Sequence, residues 1–144
     1  MRWRRVARAV AVAAVGAVAF GAVTLAALEG VEVVQLRTVA PDGSVRTTRT
    51  WVADADGAAW IEAANPDRPF LRDLQARPQV LLVRRGVVQR LRAVPMPGDV
   101  PHRKIRLLLR AKYGWADRWI GLLADTSRSV AVRLEPDEPG TGPG

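Results

Sequence analysis

Residues 31–64 read VEVVQLRTVAPDGSVRTTRTWVADADGAAWIEAA, and the two-residue rhythm of this stretch decides the fold. Val31 to Val39 is rich in β-branched residues, which suit extended backbone. Pro41-Asp42-Gly43 is a turn, because proline presets φ and glycine tolerates positive φ. The return strand, Ser44 to Ala53, sets Val45, Thr47, Arg49 and Trp51 on one face and Arg46, Thr48, Thr50 and Val52 on the other. A second turn, Asp54 to Gly57, leads into a third strand, Ala58 to Ala64. Strands joined this closely pair antiparallel and need an apolar face buried.

Downstream, Asn65-Pro66-Asp67-Arg68-Pro69 cannot join a sheet, since its prolines lack donors. Pro69 suits the first position of a short helix reaching about Ala76, with Phe70, Leu71 and Leu74 on one side, and Pro78 stops it. Gln79 to Arg85 and Val87 to Met96 form two strands joined tightly at Gly86. Asp99 is the expected N-cap of a helix from about Val100 to Tyr113 with Ile105, Leu108 and Leu109 as its apolar stripe. A second helix, Trp115 to Leu123, precedes a last strand, Ser129 to Leu134. The expected architecture is an α+β domain over 31–135 whose six strands close into a β-barrel with short helices, followed by a disordered tail at 136–144.

Upstream, residues 9–28 contain no charge and would form a helix about 30 Å long, the thickness of a bilayer's hydrocarbon layer. They are read as a single transmembrane helix whose partner is membrane lipid. A secretory signal peptide opens in the same way, with small-x-small sites at Ala19-Phe20-Gly21 and Ala22-Val23-Thr24, but its apolar core is shorter. Arg2, Arg4, Arg5 and Arg8 make residues 1–8 a basic segment, so the positive-inside rule places the N-terminus in the cytoplasm and the domain outside. Trp3, among those arginines, fits an interfacial anchor.

Charge and composition narrow the function. The 144 residues carry 22 Lys+Arg against 14 Asp+Glu, a formal +8. Without residues 1–28, 18 cations face the same 14 acids, a remainder of only +4, and the cations alternate with acids and apolar residues. No nucleic-acid partner is expected from that pattern. The absence of cysteine excludes disulfides, thiolate metal sites and cysteine nucleophiles. His102 is the only histidine, so no metal site is expected, and no residue set has the spacing of a catalytic group.

One set of motifs goes further. Gly43, Arg46 and Thr48 stand as G-x-x-R-x-T on a strand-turn-strand; Ala64-Asn65 ends the third strand; Phe70, Asp73, Leu74, Ala76 and Pro78 follow as aromatic-x-x-D-L-x-A-x-P. This arrangement resembles the deazaflavin-dependent nitroreductase and quinone reductase family, part of the flavin-binding split β-barrel superfamily of the pyridoxamine-phosphate oxidase type. The resemblance covers about residues 31–135. It implies a split barrel, often a homodimer, that uses a deazaflavin (coenzyme F-420) or FMN as cofactor to reduce a quinone or nitro-type acceptor. The chain departs from the family at Val39-Ala40-Pro41-Asp42, where a basic, glycine-containing run is usual, and at Phe70-Leu71, where a tyrosine is often found.

The resemblance implies a cofactor site at Arg37, Thr38, Gly43, Arg46, Thr48, Ala64, Asn65, Arg68, Phe70 and Arg72. Arg46 is the first choice for a phosphate, because a guanidinium donates two hydrogen bonds at once, and Arg37, Arg68 and Arg72 come next. Thr38 and Thr48 would add hydroxyl donors, and the backbone of Ala64-Asn65 would face the ring. An exposed strand arginine is also ordinary, and Asp73 is expected to brace its helix. The alternative function is a non-catalytic, membrane-tethered barrel that binds a small ligand or a partner protein.

Overall fold

The computed structural model describes residues 2–137. Helix α1 runs from Arg2 to Glu29, and then come β1 (Val33–Val39), β2 (Val45–Ala55), β3 (Ala58–Ala63), α2 (Pro69–Ala76), β4 (Gln79–Arg84), β5 (Val87–Met96), α3 (Asp99–Tyr113), α4 (Trp115–Leu123) and β6 (Val130–Pro136). The six strands form a closed antiparallel barrel in the order β1-β2-β3-β6-β5-β4, shut by β1 pairing with β4. This is the expected α+β, six-stranded β-barrel architecture with short helices. The tail expected at 136–144 lies outside the described residues from position 138 onward.

Alternation builds the core directly. On β1, Val34, Leu36 and Thr38 point inward and are fully buried, while Gln35 and Arg37 are exposed. They meet Val52, Ile61, Leu82, Val132 and Leu134 inside the barrel, and α2 caps one opening with Phe70, Leu71 and Leu74. Each such side chain contributes roughly 1.5–3 kcal/mol on burial. A second cluster lies under α3, where Ile105, Leu109 and Tyr113 pack on Ala53, Trp60 and Ala131.

Two details differ from expectation. Asp99 lies in the first turn of α3 rather than capping it; Gly98, at φ +107, holds the cap position, where an aspartate would be strained. The apolar helix is also one continuous helix with the basic residues before it, because arginine and alanine favour helix equally well on both sides of Ala9. An 18-residue window within its stretch Trp3–Ala27 has mean hydropathy 2.2, and the stretch is long and apolar enough to cross a membrane.

Candidate functional site

β2 pairs with β1 from Val45 to Trp51 but with β3 only from Val52 to Ala55. From Val45 to Trp51 its second edge faces the loop and helix that follow β3 rather than a strand. Asn65 shapes that loop. Its Oδ1 accepts the Asp67 N–H at 3.0 Å, which turns the chain so that Arg68 precedes Pro69 at the first position of α2.

Three grooves run along this open edge. The first, about 350 Å³, is lined by Arg46, Thr47, Thr48, Arg49, Arg68 and Phe70 among others. The second, about 320 Å³, shares Arg46 and adds Asp42, Arg72 and Asp73. The third, about 520 Å³, shares Arg49 and Arg68 and extends over Val33, Trp51, Leu25 of α1 and Ile120 of α4. The band is therefore cationic along β2 and apolar where it reaches α1. Trp51 stacks on Tyr113 with ring centres 4.5 Å apart, which fixes its plane at the apolar end.

The Arg46 guanidinium is positioned by a buried carboxylate. Asp73, on α2, is buried, and its Oδ2 accepts Thr38 Oγ1 at 2.7 Å and Arg46 Nε at 2.8 Å. Asp42 is occupied by the backbone N–H and hydroxyl of Ser44, which hold its carboxyl below the usual range. Donor groups thus outnumber free acceptors along the band, and the chemistry suits an anionic ligand.

Of the residues singled out from sequence, Arg46, Thr48, Arg68, Phe70 and Arg72 come together here, although Phe70 is buried and shapes the floor. Thr38 is fully buried, and its hydroxyl serves Asp73. Arg37 lines a separate groove of about 210 Å³ with Arg90 and Gln79. Gly43, at φ +88, makes the β1–β2 turn. Ala64 and Asn65 lie just past β3, which ends at Ala63 rather than at Ala64, with Ala64 partly buried and Asn65 exposed.

Sequence reasoning missed Arg49, whose place depends on the loop before α2 bringing Arg68 beside β2. It also missed a clamp where α1 enters the barrel. Glu32 accepts Arg84 Nε and Nη2, both at 2.9 Å, along with Arg85 and Lys112, and Arg84 also grips Asp54. The Arg84 hydrogen bond, opposed by burial and aided by Lys112, lowers the Glu32 carboxyl to about 2. Tyr113 Oη takes the Val52 N–H and donates to the Glu32 carbonyl at 2.7 Å, and burial pushes its pKa up.

This barrel matches solved structures by shape. An F420 reductase superposes with a TM-score of 0.51 at 18% identity, covering 73% of this chain and 86% of that one. A putative pyridoxamine 5'-phosphate oxidase from Listeria innocua gives 0.55 at 14%, covering 79% and 90%. HutZ, a heme storage protein from Vibrio cholerae, gives 0.57 at 16%, covering 74% and 82%. At these identities the likeness establishes the fold alone, a six-stranded split β-barrel. No protein-family model and no curated sequence matches the chain.

Proposed function

We propose that the chain is a membrane-anchored split-barrel oxidoreductase that holds a flavin or deazaflavin along the open edge of β2 and reduces a lipophilic acceptor of the quinone or nitro class. The observation that carries this reading is the continuity of the groove band. Its cationic part at Arg46, Arg49, Arg68 and Arg72 suits a phosphate, and its apolar part at Trp51, Leu25 and Ile120 suits a ring and opens beside α1. A bound flavin or deazaflavin supplies the hydride chemistry, so the protein has only to bind, orient and exclude water. Membrane lipid around α1 would then bring an apolar acceptor to the mouth of the band.

The positive-inside rule supports an N-terminus in the cytoplasm and a barrel outside, which favours a cofactor available on that face. Alkaline phosphatase fused after Gly144 is expected to be active; activity of a cytoplasmic reporter instead would reverse the orientation.

The binding test uses the full chain in lipid nanodiscs, with FMN and coenzyme F-420 added separately. One of the two is expected to raise the melting temperature and change its own absorbance, because a ligand that prefers the folded state must stabilise it. No change with either would leave the second reading, a non-catalytic barrel, which the bracing role of Arg46 toward Asp73 favours.

A further inference from the structure

Helix α4 is tied to the N-terminal segment at two levels. Just before its start, at the last residue of α3, Tyr113 Oη donates to the carbonyl of Glu32 at 2.7 Å. Farther along, Trp119 Nε1 donates to Thr24 Oγ1 at 3.0 Å, and its ring lies 5.4 Å from that of Phe20. From Tyr113, the last residue of α3, to Trp119 in α4, the partner on the N-terminal segment moves back from Glu32 to Thr24 and Phe20. The helix therefore runs antiparallel to α1, away from the barrel and along an apolar surface. Beyond Trp119 it ends in Leu122 and Leu123, which are 80% and 49% exposed.

The length of α1 says what covers those leucines. The uncharged residues 9–28 span about 30 Å at ~1.5 Å per residue, the thickness of a hydrocarbon core, and Phe20 and Thr24 lie in the second half of that span, short of its boundary. Trp3 precedes the other end, 85% exposed, and Trp119 sits at the Phe20–Thr24 level, close to where interfacial tryptophans belong. Leu122 and Leu123 lie past Trp119 in the direction of the α1 N-terminus, hence below that boundary. The charges of α4 are compatible with this. Asp117 is buried against Arg106, while Arg118 on α4 and Arg128 on the return loop are exposed and can reach anionic headgroups.

We propose that the C-terminal end of α4 inserts into the bilayer surface beside α1, through Leu122 and Leu123, and seats the barrel directly on the membrane. The inference rests on the anchoring proposed above and goes beyond it, since an anchor alone leaves the barrel free to tumble. It also fixes the apolar end of the groove band, at Leu25 and Ile120, against the lipid surface.

The absence of cysteine makes the test direct. Single variants Leu122→Cys, Val12→Cys in α1, and Gln79→Cys at the far end of β4 carry an environment-sensitive fluorophore on the full chain in phosphatidylcholine–phosphatidylglycerol vesicles. Quenching by spin-labelled lipids reports depth. The Leu122 label is expected to be quenched by headgroup-proximal spin labels at least about twofold more than the Gln79 label, and the Val12 label by mid-chain ones. Quenching at Leu122 no greater than at Gln79, with Val12 still quenched, overturns this inference and leaves the anchor standing. Loss of quenching at Val12 as well overturns both. Leu123→Cys gives the same reading if the first variant does not fold.

Discussion

Arg46 on β2 donates its Nε to Oδ2 of Asp73 on α2 at 2.8 Å, and the same oxygen accepts Thr38 Oγ1 from β1 at 2.7 Å. One buried oxygen thus joins two strands and the helix that caps them, while the Arg46 side chain stays 41% exposed at the groove. The pairing separates two jobs that a single arginine substitution would confuse.

Arg46→Ala leaves the buried Asp73 carboxylate without its cation and is expected to cost about 2 kcal/mol of stability. Adding Asp73→Asn to that variant should restore about half of the loss, because a neutral amide has no charge to compensate. Cofactor binding, if Arg46 holds the phosphate, stays lost in the double variant. Thermal melts with and without FMN and coenzyme F-420 separate the two roles; a double variant no more stable than Arg46→Ala would refute the bracing account.

Glu32 makes acid stability predictable. Its carboxyl titrates near 2 in the folded chain and near 4.5 when unperturbed, so the folded state binds the proton less readily. Its contribution is complete above about pH 4.5 and fades as pH falls toward 2. Asp54, lowered first by its Arg84 hydrogen bond, acts in the same direction. Unfolding measured across this window should show a steep loss of stability in the parent chain and a shallower one in Glu32→Gln, which should also be less stable by about 2 kcal/mol at neutral pH.

Most of the barrel was legible because its determinants are local. The alternation in residues 31–64, the turn residues and Pro69 mark their elements wherever the chain goes, and the ends of the strands fell within about two residues of expectation. The site was only partly legible, because it depends on which distant segments meet. Arg46, Arg68 and Arg72 share grooves since α2 packs on β1 with its Asp73 reaching Arg46 of β2, whereas Arg37, one residue from Thr38, leaves on the opposite face of its strand. Glu32 carries no local signal, because its partners Arg84 and Lys112 are too far along the chain for spacing to reveal them.

Gly86 tests a purely conformational constraint. With Arg85 at φ +51 and Gly86 at φ +79, the two residues close the β4–β5 hairpin between the paired Arg84 and Val87. A Cβ at Gly86 would meet nothing within 4 Å, so Gly86→Ala changes only backbone preference. It should cost about 1 kcal/mol and lower the melting temperature by about 4–8 °C with no change in ligand binding. A neutral result would mean that the hairpin relaxes into another turn.

Asp117 presents the reverse case, an electrostatic constraint hidden from solvent. Both of its oxygens accept Arg106 Nη2, at 2.7 and 2.8 Å, while Arg106 Nη1 reaches Glu62 Oε2 at 2.9 Å. Glu62 in turn takes the Ser129 hydroxyl at 2.6 Å, so α4, α3, β3 and the start of β6 share one polar network. Asp117→Ala strands part of the Arg106 charge and should cost about 3 kcal/mol. Replacing Arg106 by Met alone leaves two carboxylates facing each other and should cost at least as much. The double variant Asp117→Ala, Arg106→Met removes both charges of the pair and is expected to recover more than about 1 kcal/mol relative to the sum of the single changes, which a denaturant-unfolding cycle would measure. Strict additivity would show that the pair contributes through packing alone, and that the stem of Arg106, rather than its guanidinium, holds α3 against α4.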